Sequence, residues 1–239
     1  MRAHALPQAE AVEDVTLTFY EGTPAETAIS LARIVERTTT MMPAARGSGS
    51  MVWRFQPSRG GKAIGGDTVG FALKRCSAAP VSGLPSPPHE FGYLSRLSSP
   101  LFPRGIGHGI AENGDYILVS EWIDGRKLAR DSLAILTDAL QQGTYEAFCR
   151  DLLEILRLLR AAGIEHSDIW EPNIIVRDGR PVLIDFGWAH ELGEAPLSPT
   201  LHQPNDTLAI DQMLKRLGAL HSMLLLESQI AGRTADARG

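Results

Sequence analysis

Cysteine is scarce in this sequence. Cys76 and Cys149 stand in separate segments, with no CxxC pair and no Cys/His cluster. That argues against a structural zinc site and fits a reducing compartment. Long apolar runs are missing as well: no stretch of 18 apolar residues occurs, so no membrane span is expected. Positive charge is also limited. The 23 Lys and Arg residues are scattered against 28 Asp and Glu, for a net charge of −5. Without a clustered basic patch, nucleic-acid binding is not expected. The N-terminal stretch MRAHALPQAEAVED turns acidic before any long apolar run, which does not suit a secretory signal peptide. The expectation is a cytoplasmic protein and a monomer.

What is present is ordinary for a globular chain: 44% apolar and 21% charged residues over 239 positions. That length suits one large domain or two small lobes. Val15 to Tyr20 is rich in β-branched and aromatic residues and predicts a short strand. Pro24 to Arg37 predicts a helix, with Thr23 as N-cap and Glu26 three residues after it. From Thr38 to Cys76, short β-type runs alternate with Gly-rich breaks, as in an antiparallel meander. Residues 77–88 read as a Pro-rich loop, His89 to Leu97 as a short helix, and Tyr116 to Trp122 as an apolar strand. Helical periodicity covers Leu128 to Gln142 and Tyr145 to Ala162, and a last helix runs from about Asp206 to Gln229. Between them, Asn173–Arg177 and Pro181–Ile184 flank the turn Asp178-Gly179, a hairpin signal.

The chemistry concentrates in GIEHSDIWEPNIIVRDGRPVLIDFGWA, residues 163–189. Asp168 is followed five residues later by Asn173, and Asp185 heads Asp185-Phe186-Gly187 after the hairpin. Phosphoryl transfer asks for such a set: a divalent metal to neutralise phosphate charge, and a carboxylate to orient the acceptor hydroxyl and take its proton. Asn and Asp offer hard oxygen ligands, and a second Asp kept off the metal serves as base. His166-Ser167-Asp168, five residues to Asn173, then Asp185-Phe186-Gly187 resembles the catalytic and metal-binding loops of the protein-kinase-like superfamily.

That resemblance implies a set of further roles. Lys74, in Phe71-Ala-Leu-Lys74, would hold the α- and β-phosphates of ATP, with Glu90 as its helix partner. Glu121 and Ile123 would bond adenine through their backbone, with Ser120 at the rear of the pocket. Gly47, Gly49, Ser50 and Val52 would lie over the nucleotide, although Ala45 replaces the first glycine of the family's loop and a plain turn reads the same. Asn173 and Asp185 would hold Mg²⁺, and Asp168 would be the base. Asp206 would brace the catalytic loop, or serve as an N-cap, or both. His166 would pack beneath the loop, while His108, His190, His202 and His221 show no metal spacing.

The resemblance implies an α+β fold of two lobes, a small antiparallel β N-lobe over residues 38–121 and a truncated helical C-lobe over 122–228. An N-terminal extension (1–37) and a frayed tail (229–239) complete the chain. It departs from full-length protein kinases in three places. Only 18 residues separate Gly187 from Asp206, without an APE motif; Ser167 precedes Asp168 where an arginine is usual; and Trp170-Glu171 replaces the common Leu-Lys. These departures suit compact relatives such as RIO-type, aminoglycoside and lipopolysaccharide kinases. The acceptor stays open between a protein Ser/Thr, slightly favoured, and a sugar or small molecule. The rival class is a pseudokinase, a nucleotide-binding scaffold without transfer.

Overall fold

The computed structural model describes residues 15–19, 45–46, 50–55, 70–77, 89–111, 114–194 and 205–236. The helix expected over 24–37, the Pro-rich loop at 78–88, Gly47, Gly49 and His202 lie outside the described residues. A six-stranded antiparallel sheet forms the first half, in the order β1-β5-β6-β4-β3-β2. Its strands are β1 (Val15–Phe19), β2 (Ala45–Arg46), β3 (Ser50–Phe55), β4 (Phe71–Cys76), β5 (Gly105–Ala111) and β6 (Tyr116–Glu121). The short helix α1 (His89–Ser95) falls between β4 and β5 and packs on β5. The β-meander expected upstream of Cys76 is present as β2-β3-β4. Strand β5 was not foreseen, because its sequence GIGHGIA lacks a β-forming run.

Register divides the sheet into two faces. Val52, Lys74 and Leu118 pair across β3, β4 and β6 and share one face. Beside them Cys76, Tyr116 and Leu118 join Tyr93, Leu94 and Leu97 of α1 in the main apolar core. Trp53, Leu73 and Val119 pair on the opposite face and belong to a separate, smaller cluster. The alternation within β4 therefore sends Leu73 to one core and Lys74 to the α1 side.

The second half is helical. It contains α2 (Leu128–Gln142), α3 (Tyr145–Ala161) and α4 (Asp206–Asp236). On α3, Phe148, Leu152, Ile155 and Leu159 form the buried stripe that helical spacing predicts. Helix α4 runs seven residues past Gln229, and no proline interrupts that stretch. Strands β9 (Ile174–Arg177) and β10 (Arg180–Leu183) make the expected hairpin. Asp178 and Gly179 take φ of 51° and 74°, as a tight I′-like turn requires. Two short pairings fix this half further: β7 (Arg126–Lys127) adds to β9, and β8 (Ile164–Glu165) pairs with β11 (His190–Glu191).

The chain leaves β6 at Glu121 and joins β9 through β7 at Arg126, so four residues connect the sheet to the helical half. Within them, Gly125 crosses the hairpin closely. A Cβ there would lie 2.5 Å from the Val176 carbonyl oxygen and 2.8 Å from Ile175. Gly125→Ala is therefore expected to cost about 1–3 kcal/mol through overpacking against backbone. Gly92 on α1 has open space around its Cβ position, and Gly92→Ala should stabilise by up to about 1 kcal/mol. Thermal denaturation of the two variants checks this, and equal losses at both positions would refute the packing account.

Candidate active site

Lys74 is the centre of the site. Its ammonium donates to Glu90 Oε2 at 2.8 Å and to Asp185 Oδ1 at 2.6 Å. Three elements far apart in sequence meet here: β4, α1 and the segment after β10. Burial pushes the Lys74 pKa down, but the carboxylates of Asp185 and Glu90 outweigh it, and the pKa stands well above the ordinary value. Burial holds the Glu90 carboxyl above its ordinary value against the pull of Lys74. The Lys74 ammonium holds Asp185 below its ordinary value. Glu90, almost fully buried, uses its other oxygen to accept the Phe186 N–H at 3.0 Å. One carboxylate on α1 thus fixes both the lysine and the backbone beside Asp185.

Asp185 has φ of 66°, and Phe186 is buried against Phe102 and His166, with ring centroids 6.0 Å and 4.7 Å away. The glycine that follows has a steric reason. A Cβ on Gly187 would lie 3.3 Å from Asp185 Oδ1 and 3.8 Å from Lys74 Nζ, crowding the ion pair.

Asp168 and Asn173 face each other across their loop. The Asn173 amide NH₂ donates to Asp168 Oδ2 at 2.7 Å and to its carbonyl at 3.0 Å. This orients the Asp168 carboxylate and leaves the Asn173 amide oxygen as an acceptor. The Ile184 N–H bonds to the Asn173 carbonyl at 2.9 Å, which ties the residue before Asp185 to the loop. A carboxylate on Asp185 and an amide oxygen on Asn173 fit Mg²⁺, which binds through few protein oxygens and completes its shell with phosphate and water. Among the described residues no group of three or more His, Cys, Asp or Glu could hold a metal.

His166 is fully buried, and desolvation lowers its pKa to about 4, so it stays neutral. Its Nδ1 accepts the Asp168 N–H at 3.3 Å, a packing and orienting role rather than a base. Asp206 accepts the N–H groups of His166 at 2.6 Å and Ser167 at 2.8 Å. Ser167 has φ of 61°, and its hydroxyl meets His190 Nδ1 at 3.2 Å, a link that spacing did not suggest. The cap of α4 is Asn205, whose Oδ1 accepts the N–H of Thr207 and Leu208 at 2.8 Å and 3.3 Å. Asp206 is therefore a brace and not the cap.

The remaining expected residues fall as follows. Val52 lies opposite Lys74 and Ser50 opposite Cys76, both on the Lys74 face. Glu121 ends β6, Ile123 is buried in the connection and Ser120 is buried on β6. Sequence reading missed Arg177, which donates to Glu121 Oε1 at 2.5 Å. No local pattern marks a pair 56 residues apart.

Two outcomes are expected. Lys74→Met strands a buried carboxylate and should cost about 3–5 kcal/mol, with part recovered in Lys74→Met/Glu90→Gln; urea unfolding reads both. For Asp206, burial outweighs the two N–H bonds and raises the pKa to about 6, against about 3.9 in an unfolded chain. The folded state then binds more protons between those values, so this group's stabilisation is full below about pH 4 and falls as pH rises to about 6. The Tm gap between wild type and Asp206→Asn should narrow from pH 4.5 to 7.5. A widening gap contradicts the assignment.

No family model matches the chain. It is 34% identical over 103 residues to the probable serine/threonine-protein kinase YbdM of Bacillus subtilis, covering 43% of this chain and 40% of that protein. It is 38% identical over 86 residues to serine/threonine-protein kinase PknA of a Nostoc species, covering 33% of this chain and 14% of that protein. Over 73 residues it is 34% identical to the KEOPS complex subunit Bud32 of Pyrococcus abyssi, covering 30% of this chain and 31% of that protein. The chain spans less than half the length of each of these relatives.

Proposed function

We propose that this chain is a member of the protein-kinase-like superfamily, in keeping with its partial-length similarity to named kinases, and that it is an Mg·ATP-dependent phosphotransferase. The observation that carries the reading is the Lys74 ammonium held between Glu90 and Asp185. A cation with two fixed partners is positioned to orient the α- and β-phosphates. Asn173 and Asp185 offer the oxygens for Mg²⁺, which when bound supplies charge neutralisation on the phosphates. Asp168, oriented by Asn173, takes the proton of the acceptor hydroxyl as the acceptor oxygen bonds to the γ-phosphorus and the bond to the β-phosphate oxygen breaks. Glu121 and Ile123 receive adenine on the backbone between the sheet and β7.

The acceptor we favour is a protein Ser or Thr, in keeping with the names of the bacterial relatives. The second reading, a sugar or other small molecule, rests on the 18 residues between Gly187 and Asp206, a short span for seating a peptide.

The test uses γ-labelled ATP with Mg²⁺ and a host extract split into macromolecular and small-molecule fractions. Asp168→Asn should lower transfer by roughly 10²–10⁴, the scale of a lost base. Label on protein that disappears in the variant supports the favoured acceptor, and label confined to the small fraction supports the second. A folded wild type that binds ATP and labels neither fraction overturns the enzyme reading in favour of a pseudokinase.

A further inference from the structure

Arg177 lies outside the groups that would touch nucleotide or acceptor, yet it closes a ring around the connection between the two halves. Its Nη1 donates to Glu121 Oε1 at 2.5 Å, and its Nη2 donates to the Pro100 carbonyl at 3.2 Å. Glu121 Oε2 accepts the Arg104 N–H at 3.2 Å, and the Glu121 N–H donates to the Arg104 carbonyl at 2.8 Å. Both oxygens of the Glu121 carboxylate are therefore bound by protein, on a side chain only 16% exposed against 26% for Arg177. Such a pair is partly withdrawn from water and less screened than a surface ion pair.

The ring runs as follows. From Glu121 the chain passes through Trp122–Gly125 to β7, which pairs with β9 at Val176 and Ile175. Strand β9 ends at Arg177, which returns to Glu121. The four-residue connection is thus pinned at both ends to the strand that follows Asn173. A connection held at one end can pivot. Held at both, its backbone donors and acceptors keep fixed positions relative to the loop of Asp168.

We infer that Arg177 is a positioning residue: it fixes the backbone edge at Glu121–Ile123 and so sets the preference of the site for adenine. This rests on the nucleotide reading above. Adenine and guanine present opposite donor and acceptor patterns at the 6-position, so a rigid backbone edge separates them and a loosened one does not.

The experiment titrates the full chain calorimetrically with Mg·ADP and Mg·GDP, with Tm recorded for each variant. Wild type should prefer ADP. Arg177→Met should bind ADP about tenfold more weakly, with GDP within about twofold, so that the ratio narrows; Arg177→Lys, which keeps a cation without the fork, should fall between. Arg177→Met/Glu121→Gln leaves no stranded carboxylate, guards against misfolding of the single variant, and should show the same narrowing. A folded variant that weakens both nucleotides equally, or neither, overturns the role of Arg177 while leaving the proposed function standing. So does a wild type that binds both bases alike. A wild type that binds neither nucleotide overturns both.

Discussion

A buried ammonium between two carboxylates organises this molecule. Lys74 comes from the sheet, Glu90 from α1 and Asp185 from the segment after the hairpin; Glu90 is buried and Lys74 largely so, while Asp185 opens to solvent, and the ammonium is what compensates the buried Glu90 carboxylate. The apolar packing serves that arrangement. Leu73 and Val119 secure one face of the sheet, Cys76 and Leu118 seat α1 on the other, and Phe186 fills the space beneath Asp185. Glu90 also holds the Phe186 N–H, so a shift of α1 would disturb the lysine and the Asp185 backbone at once.

A second layer of order comes from hydrogen bonds to backbone. Asp206 gathers the adjacent N–H groups of His166 and Ser167, and Asn173 fixes Asp168 within the same loop. Ser167 and His190 join that loop to β11, and Arg96, just past the end of α1, donates to both oxygens of Glu191 on β11. The loop is thus anchored by neighbours of its own chain on two sides.

How much of this was legible depended on distance along the chain. Asp168, Asn173 and Asp185 were readable because the chemistry compresses them into one short stretch with a turn signal at its middle. Lys74 and Glu90 were readable through the order of motifs. Strand β5 was hidden because its three glycines erase the alternation that marks a strand, although Gly105 has a packing reason, since a Cβ there would lie 3.3 Å from Leu94 and Phe91 of α1. The division of labour between Asn205 and Asp206 could not be read, since either side chain caps a helix and only the fold shows which one points at the loop. The pairing of Arg177 with the Glu121 side chain left no trace in sequence, because it exists only once β9 lies against the connection.

The brace at Asp206 also has a consequence for how the protein is made. Lys74, Glu90, Asp185 and Asp168 all precede it, and Asp206 follows Asp185 by 21 residues. A nascent chain emerging from the ribosome therefore carries every charged group of the site before it carries the carboxylate that gathers the N–H groups of His166 and Ser167. Synthesis completes the Lys74–Glu90–Asp185 cluster first and the brace on the His166–Ser167 backbone last, so an interrupted chain would hold the charged side chains without the carboxylate that orders their loop.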